Sequence, residues 1–177
     1  IYTDNRKTLS YPAIRSFIKI ELCRLILERF DNIDAIAGVA TGAIAQGALI
    51  AEQLGLPYVY VRSAPKDHGL ENLIEGNLIP GQRVVVIEDL ISTGGSSLKA
   101  VEAIRNVGCE VVGMAAIFSY RFPVAEERFK TANVDVVTLS NYEAVLEAAL
   151  KTGYITEGDL ETLKEWRKDP ASWNVNQ

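Results

Sequence analysis

Residues 84–96 read Val-Val-Val-Ile-Glu-Asp-Leu-Ile-Ser-Thr-Gly-Gly-Ser. The apolar run that opens this stretch does not alternate with polar residues, which predicts a central parallel strand covered on both faces. Two carboxylates, Glu88 and Asp89, follow the run, and a loop of hydroxyls and glycines leads into a predicted helix at 97–107. Ligands of open α/β sheets bind at the carboxyl ends of the strands, and N–H groups at a helix N-terminus bind anions. The stretch therefore predicts a phosphate site with two carboxylates at its edge.

Carboxylates beside a phosphate site are explained by a ligand that also carries hydroxyl groups or shares a divalent cation. A ribose 5-phosphate meets this description. The stretch is not a Walker A loop, because no Gly-Lys-Ser or Gly-Lys-Thr follows its glycines, and it lacks the Gly-x-Gly-x-x-Gly spacing of dinucleotide-binding turns. The alternative is a solvated acidic turn with a helix cap, which would be preferred if Gly94 and Gly95 stood alone.

Strand-length apolar runs alternate with helix-length amphipathic segments along most of the chain. Strands are predicted at 35–39, 58–61, 83–87, 111–118 and 134–139. Helices are predicted from Pro12, at 43–54, at 97–107, from Pro123, at 142–152 and after the capping-box sequence at 156–159. This order predicts an α/β protein with a doubly wound, mainly parallel sheet at 1–140 and a C-terminal helical segment at 141–177 packed on the same domain.

The composition is that of one globular domain, since the chain has 177 residues and is 48% hydrophobic. The net charge of -5 disfavours a nucleic-acid partner, because sequence-independent binding needs a basic face. No apolar run approaches the ~18 residues of a membrane span and no signal peptide is recognised, so no membrane partner is expected. Cys23 and Cys109 stand far apart, which predicts free thiols in a reducing, cytoplasmic compartment. Because the chain begins at Ile1 without methionine, an N-terminal piece is expected to be missing.

A second informative stretch, residues 62–69, reads Arg-Ser-Ala-Pro-Lys-Asp-His-Gly and lies in a long polar region between predicted strands. Long loops inside compact domains are often functional lids. Arg62, Lys66 and His68 can together meet the negative charge that builds on a pyrophosphate leaving group. A single histidine in a polar loop is more often simply solvated, but its spacing from the two cations favours a role in the site.

Both stretches resemble a known family. Residues 84–96 resemble the phosphoribosyl pyrophosphate signature of type I phosphoribosyltransferases, and the Lys-Asp-His-Gly run at 66–69 resembles the catalytic loop of orotate phosphoribosyltransferases. Shorter similar stretches lie at 1–6, 9–12, 38–42, 119–122, 153–156 and 166–170. The resemblance implies the type I phosphoribosyltransferase fold with a small helical hood. It also implies transfer of ribose 5-phosphate from phosphoribosyl pyrophosphate to orotate, in pyrimidine biosynthesis.

The resemblance further implies roles for individual residues, with Glu88 and Asp89 on the ribose hydroxyls and 92–96 around the 5-phosphate. The implied catalytic residues are Lys66, Asp67 and His68, and the implied orotate contacts are Ser92 and Arg121. The implied phosphoribosyl pyrophosphate site comprises Thr41, Gly42, Arg62, Lys66, His68, Glu88, Asp89, Leu90, Ile91, Ser92, Thr93, Gly94, Gly95 and Ser96.

Mg²⁺ is the implied cofactor, carried mainly by the substrate, so no dedicated set of protein ligands for a metal is expected. The implied assembly is a homodimer in which the loop at 63–76 reaches the neighbouring site. One departure stands out, because the family usually has a lysine one or two positions after the arginine of this loop, where this chain has Ser63 and Ala64. If that lysine assists catalysis, the departure predicts a slower enzyme or an altered variant.

Three alternatives stay open. A purine phosphoribosyltransferase would share residues 88–96 but need not have the Lys-Asp-His-Gly run. A non-catalytic regulator of the same fold would sense phosphoribosyl pyrophosphate and bind nucleic acid, which the net charge disfavours. A nucleotide-binding scaffold without turnover would accommodate the absent lysine.

Overall fold

The computed structural model describes residues 3–64, 73–170 and 173. The strands are β1 (Ala35–Val39), β2 (Tyr58–Val61), β3 (Ile74–Glu75), β4 (Arg83–Ile91), β5 (Glu110–Ser119) and β6 (Val136–Asn141). The helices are α1 (Pro12–Arg29), α2 (Ile44–Leu54), α3 (Gly95–Asn106), α4 (Pro123–Thr131), α5 (Tyr142–Lys151) and α6 (Glu157–Lys168), preceded by a 3-10 helix (Asn5–Ser10). The predicted strands and helices are thus confirmed, with ends that differ by a few residues.

The six strands form one sheet in the order β3-β2-β1-β4-β5-β6. Strand β1 pairs in parallel with both β2 and β4, β4 pairs in parallel with β5, and the short β3 runs antiparallel to β2. The chain therefore moves to one side of β1 for β2 and to the other side for β4. Crevices form at the carboxyl ends of strands where the strand order reverses in this way. The predicted doubly wound, mainly parallel sheet is confirmed, and its reversal point lies between β1 and β4.

Strand β4 is buried on both faces, as its unbroken apolar run predicts. Val84 and Val86 pack into the hydrophobic cluster that includes residues of α3 and α4, whereas Val85 and Ile87 pack into the cluster that includes residues of α1 and α2. All four side chains are fully buried. Burial of such a side chain is worth roughly 1.5–3 kcal/mol, so the two clusters anchor the strand that carries the site.

The helix ends follow local chemistry. Pro12 occupies the first turn of α1, where its missing N–H costs no hydrogen bond. Gly55 ends α2 in the left-handed conformation, at φ 67°, which a side chain would disfavour. Thr156 and Asp159 cap α6 reciprocally, and this confirms the predicted capping box.

One boundary was predicted wrongly. Strand β4 was expected to end before the two carboxylates, but it continues to Ile91, so Glu88 and Asp89 lie inside the strand. The reason is strand β5, which runs alongside and pairs Glu88 with Ala116 and Leu90 with Phe118. Strand β3 and the 3-10 helix were not predicted, because segments this short carry little periodicity.

The chain divides into two compact units, 1–139 and 140–177. In the second unit the Tyr142 and Trp166 rings lie 5.5 Å apart, and the Tyr142 hydroxyl donates to the Leu163 carbonyl oxygen at 3.0 Å. These contacts hold α5 against α6. The packing of this segment on the first unit stays a prediction. Within 3–64 and 73–170, no helix combines the length and the apolar character that a membrane crossing requires.

Candidate active site

Glu88 is a buried carboxyl group in the middle of the site. Its side chain belongs to a residue only 3% exposed, and its Oε2 atom accepts a hydrogen bond of 2.8 Å from the Ser97 hydroxyl of α3. Its Oε1 atom accepts from the Asp89 backbone N–H at 3.1 Å. Burial, reinforced by the neighbouring Asp89, raises the pKa of Glu88 to about 8. Burial therefore favours the protonated form of Glu88, which can donate as well as accept hydrogen bonds.

This raised pKa predicts a pH dependence of stability. The unfolded carboxyl loses its proton near the ordinary value of 4.5, whereas the folded chain keeps the proton up to about pH 8. Glu88 therefore favours the folded state most at low pH, and this contribution is lost as the pH rises between those two values. Glu88→Gln, which is neutral throughout, should lose this slope. Urea unfolding of both proteins at about pH 5 and about pH 9 measures it, and parallel profiles would contradict the assignment.

Asp89 and Gly42 meet across the reversal point of the sheet. The Asp89 carboxylate occupies the space that a β-carbon on residue 42 would need, so glycine at 42 lets the carboxylate lie directly against the turn after β1. Asn5 fixes the other side of Asp89, since its Nδ2 atom donates to the Asp89 backbone oxygen at 2.8 Å. Two distant segments of the sequence, at Asn5 and at Gly42, thus meet at Asp89.

A cleft of about 400 Å³ lies at this point. Its lining comprises Thr3, Asp4, Arg6, Val39, Ala40, Thr41, Gly42, Glu88, Asp89, Leu90, Ser92 and Ser96. The structure therefore brings together many of the residues predicted for the phosphoribosyl pyrophosphate site, from both the turn after β1 and the end of β4.

The loop between β4 and α3 has the form of an anion cradle. Gly94 is the N-cap of α3 and has a φ of 75°, in the left-handed region that favours glycine. Helix α3 begins at Gly95, so its first-turn N–H groups lie at the carboxyl end of β4, beside the cleft. Behind the loop, the Thr93 carbonyl accepts a hydrogen bond from Arg128 and the Phe129 ring lies against Gly94.

Some predicted residues lie elsewhere. Arg62 is half-buried and pairs with Glu75 at 3.5 Å. Arg121 has a positive φ of 51° and lines a different cavity, of about 550 Å³, together with Ile91 and Ser119. The predicted catalytic residues Lys66, Asp67 and His68 lie outside the described residues.

The sequence analysis missed one side of the cleft. Thr3, Asp4 and Arg6 line it, and Arg6 pairs with Asp4 at 2.9 Å. Residues 1–6 were noted only for their family resemblance. The signal available in the sequence was the polar run Thr-Asp-Asn-Arg at 3–6, ahead of the helix that begins at Pro12.

The carboxylate of Asp89 in the cleft is the kind of oxygen ligand that a divalent cation prefers. Across the described parts of the chain, no cluster of three or more His, Cys, Asp or Glu side chains forms that could hold a metal ion. The Glu88 carboxyl group is buried and already accepts a hydrogen bond from Ser97. Asp89 belongs to no such cluster, so a divalent cation beside it would need further ligands from a bound molecule or water.

Comparison with known proteins agrees with this geometry. The family described as phosphoribosyl transferase domain matches residues 15–151. Orotate phosphoribosyltransferase from Bacteroides thetaiotaomicron is 72% identical over 99% of this chain and 83% of its own length, and that from Porphyromonas gingivalis is 66% identical over the same shares. The crystal structure of orotate phosphoribosyltransferase from Aeropyrum pernix superposes with a TM-score of 0.77 at 30% identity, over 88% of this chain and 85% of that chain. The expected type I phosphoribosyltransferase fold is confirmed, and the chain belongs to the orotate phosphoribosyltransferase family.

Proposed function

We propose that this chain transfers ribose 5-phosphate from phosphoribosyl pyrophosphate to orotate, giving orotidine 5'-phosphate and pyrophosphate. The observation that carries the proposal is that Asp89 and Glu88 line one cleft together with the phosphate loop, residues 92–96, and the turn at Thr41 and Gly42. A sugar phosphate that also bears hydroxyls and a pyrophosphate matches these three features. Orotidine 5'-phosphate is a precursor of UMP, so the reaction belongs to pyrimidine biosynthesis.

The reaction is a displacement at the ribose C1. A bond forms from the orotate N1 atom while the bond from C1 to the pyrophosphate oxygen breaks. The pyrophosphate leaves with the electron pair and takes up the proton that N1 loses. The ring then resembles an oxocarbenium ion, so the chain need only orient the reactants and stabilise charge. No nucleophilic side chain is required.

Each part of the cleft has a task in this scheme. The loop at 92–96 and the N-terminus of α3 bind the 5-phosphate, and Asp89 and Glu88 accept hydrogen bonds from the ribose hydroxyls. Glu88 can also donate one in its protonated form, which burial favours by raising the pKa of this carboxyl group. Thr41 and Gly42, which line the same cleft, are proposed to bind the pyrophosphate.

Other roles rest on the family resemblance. Lys66 and His68 are proposed to stabilise the leaving pyrophosphate, with Asp67 accepting a proton or orienting the loop and Arg62 contributing a further cation. Ser92 and Arg121 are proposed to hold orotate, whose carboxylate suits a guanidinium. Arg121 would have to reach the base from the neighbouring cavity that it lines. Mg²⁺ bound to the pyrophosphate oxygens would supply positive charge to the leaving group.

A homodimer is proposed as the working assembly, with the loop at 63–76 serving the neighbouring site. The exposed apolar residues of α1 support an assembly, since Ile14, Phe17, Ile20 and Leu27 are each at least 46% exposed. Exposed apolar patches of this kind mark interaction surfaces. A cytoplasmic location stays a prediction of the sequence.

The test is an ultraviolet assay that follows loss of orotate absorbance with phosphoribosyl pyrophosphate and Mg²⁺. We expect turnover that stops when a chelator removes the metal. Adenine and hypoxanthine offered in parallel should not react, and their conversion would instead support the purine alternative. Binding of phosphoribosyl pyrophosphate without any turnover, together with a gel shift of nucleic acid, would support the regulator.

A further inference from the structure

Helix α4 contacts the back of the phosphate loop through two consecutive residues. The Arg128 Nη1 atom donates a hydrogen bond to the Thr93 carbonyl oxygen at 3.0 Å. The Phe129 ring packs against Gly94. Its nearest carbon is only 2.9 Å from the position that a β-carbon on residue 94 would take. Neither side chain lines the cleft. We infer that Arg128 is a positioning residue for the proposed reaction, which fixes the phosphate loop from behind so that its N–H groups face the 5-phosphate.

The argument rests first on the geometry of a peptide unit. A trans peptide is planar, so the C=O of Thr93 and the N–H of Gly94 point in opposite directions. Because Arg128 holds that C=O toward α4, the Gly94 N–H points away from α4. The Gly94 carbonyl meanwhile accepts the first α3 hydrogen bond, from the Leu98 N–H at 3.0 Å. The peptide on each side of Gly94 is thereby fixed, which is the condition for a preorganised anion site.

Phe129 supplies a steric contact and Arg128 a polar one. Phe129 is 5% exposed and belongs to the main hydrophobic cluster, so its position is fixed by the core. Arg128 is exposed and projects from the same helix over Thr93. Substitution of Arg128 therefore tests the position of the loop without opening a cavity. Substitution of Phe129 would disturb the loop and would also open a cavity in the hydrophobic core.

Arg128 could act through its hydrogen bond to Thr93 or through its positive charge alone, and these two explanations predict different results. An exposed charge is largely screened beyond about 8–10 Å at ordinary ionic strength, but it could still attract an anionic ligand. Lys130 is an exposed cation two residues further along α4, and it lines the cavity of Arg121 rather than the cleft. Lys130→Met therefore removes the same charge from the same helix and leaves the bond to Thr93 in place.

The test compares Arg128→Met, Arg128→Lys and Lys130→Met. We expect Arg128→Met to raise the KM and the Kd for phosphoribosyl pyrophosphate about tenfold, the loss expected for one charge-assisted hydrogen bond. The KM for orotate at saturating phosphoribosyl pyrophosphate and the kcat should stay within about threefold, and the Tm should hardly change. Arg128→Lys, which keeps a donor and the charge, should recover most of the lost affinity.

Two results would overturn the inference. One is an unchanged Kd in Arg128→Met, and the other is equal weakening in Lys130→Met, which would assign the effect to charge alone. Isothermal titration with phosphoribosyl pyrophosphate separates these outcomes from a failure of the proposed function. If the unmodified chain binds this ligand but Arg128→Met binds it equally well, only the inference fails. If the unmodified chain does not bind it, the proposed function and the inference both fail.

Discussion

Asp89→Asn is expected to weaken the binding of phosphoribosyl pyrophosphate about tenfold to a hundredfold. The Asp89 carboxylate lines the cleft beside the turn at Gly42, and Asn5 donates a hydrogen bond to the backbone oxygen of the same residue. Hydrogen bonds to a charged acceptor contribute about 1.5–3 kcal/mol each, which corresponds to that range of affinity. Asparagine keeps the shape of the side chain but replaces an acceptor oxygen with a donor.

A competing effect has the opposite sign. Asp89 also repels the phosphates of the ligand, and its neutralisation relieves that repulsion. Two unit charges about 8 Å apart in a water-like medium interact by only about 0.5 kcal/mol, and a bound cation reduces this further. The lost hydrogen bonds should therefore dominate, and binding should weaken.

Isothermal titration of the Asp89→Asn variant with phosphoribosyl pyrophosphate and Mg²⁺, without orotate, measures the effect free of turnover. Asp31→Asn is the matched control, because it removes the same charge from an exposed residue that follows α1 and does not line the cleft. An unchanged Kd in Asp89→Asn would refute the role of this carboxylate in binding the ribose hydroxyls.

Gly42→Ala should lower kcat/KM about a hundredfold and change the Tm little. The new β-carbon would overlap the Asp89 carboxylate, which must rotate away. Rotation of one side chain on the rim of an open cleft costs little stability. A displacement of about 1 Å at a reacting centre can nevertheless cost about a hundredfold in rate. The variant should therefore lose activity while it keeps nearly all of its thermal stability.

The Asp89→Ala background provides the decisive comparison. Once the carboxylate is gone, the methyl group of Gly42→Ala has room, so the second substitution should add almost nothing to the first. Gly158→Ala, in α6, is the control for a simple glycine replacement, since the nearest atom to its β-carbon would be 3.7 Å away. Additive losses in the double variant would show that Gly42 acts independently of Asp89.

The sequence predicted those parts of the fold that local patterns determine. Strand β4 has an apolar run that only a doubly covered strand requires, and Thr156 with Asp159 forms a helix cap within four residues. The carboxylates, glycines and hydroxyls of 88–96 predicted much of the cleft, because they too follow one another closely in the sequence. Each of these signals lies within one short segment.

Features that depend on distant partners could not be predicted in this way. The extension of β4 through Asp89 depends on β5, and the closeness of Gly42 to Asp89 depends on the pairing of β1 with β4. The place of Arg6 in the cleft likewise requires the 3-10 helix to lie beside β4. Arg121 was assigned to orotate by resemblance, and its position beside a second cavity follows from the turn after β5.

The reversal of strand order at β1 also links the ligand to the folding of the chain. Gly42 and Asp89 are far apart in sequence and meet only after β1 and β4 have paired across the intervening segment. An unfolded chain therefore has no place to bind a sugar pyrophosphate, and any such ligand shifts the folding equilibrium toward the native state. The melting temperature should therefore rise as more of the protein binds the ligand. A ready supply of substrate in a cell would in the same way protect the protein from unfolding and from the degradation that follows it.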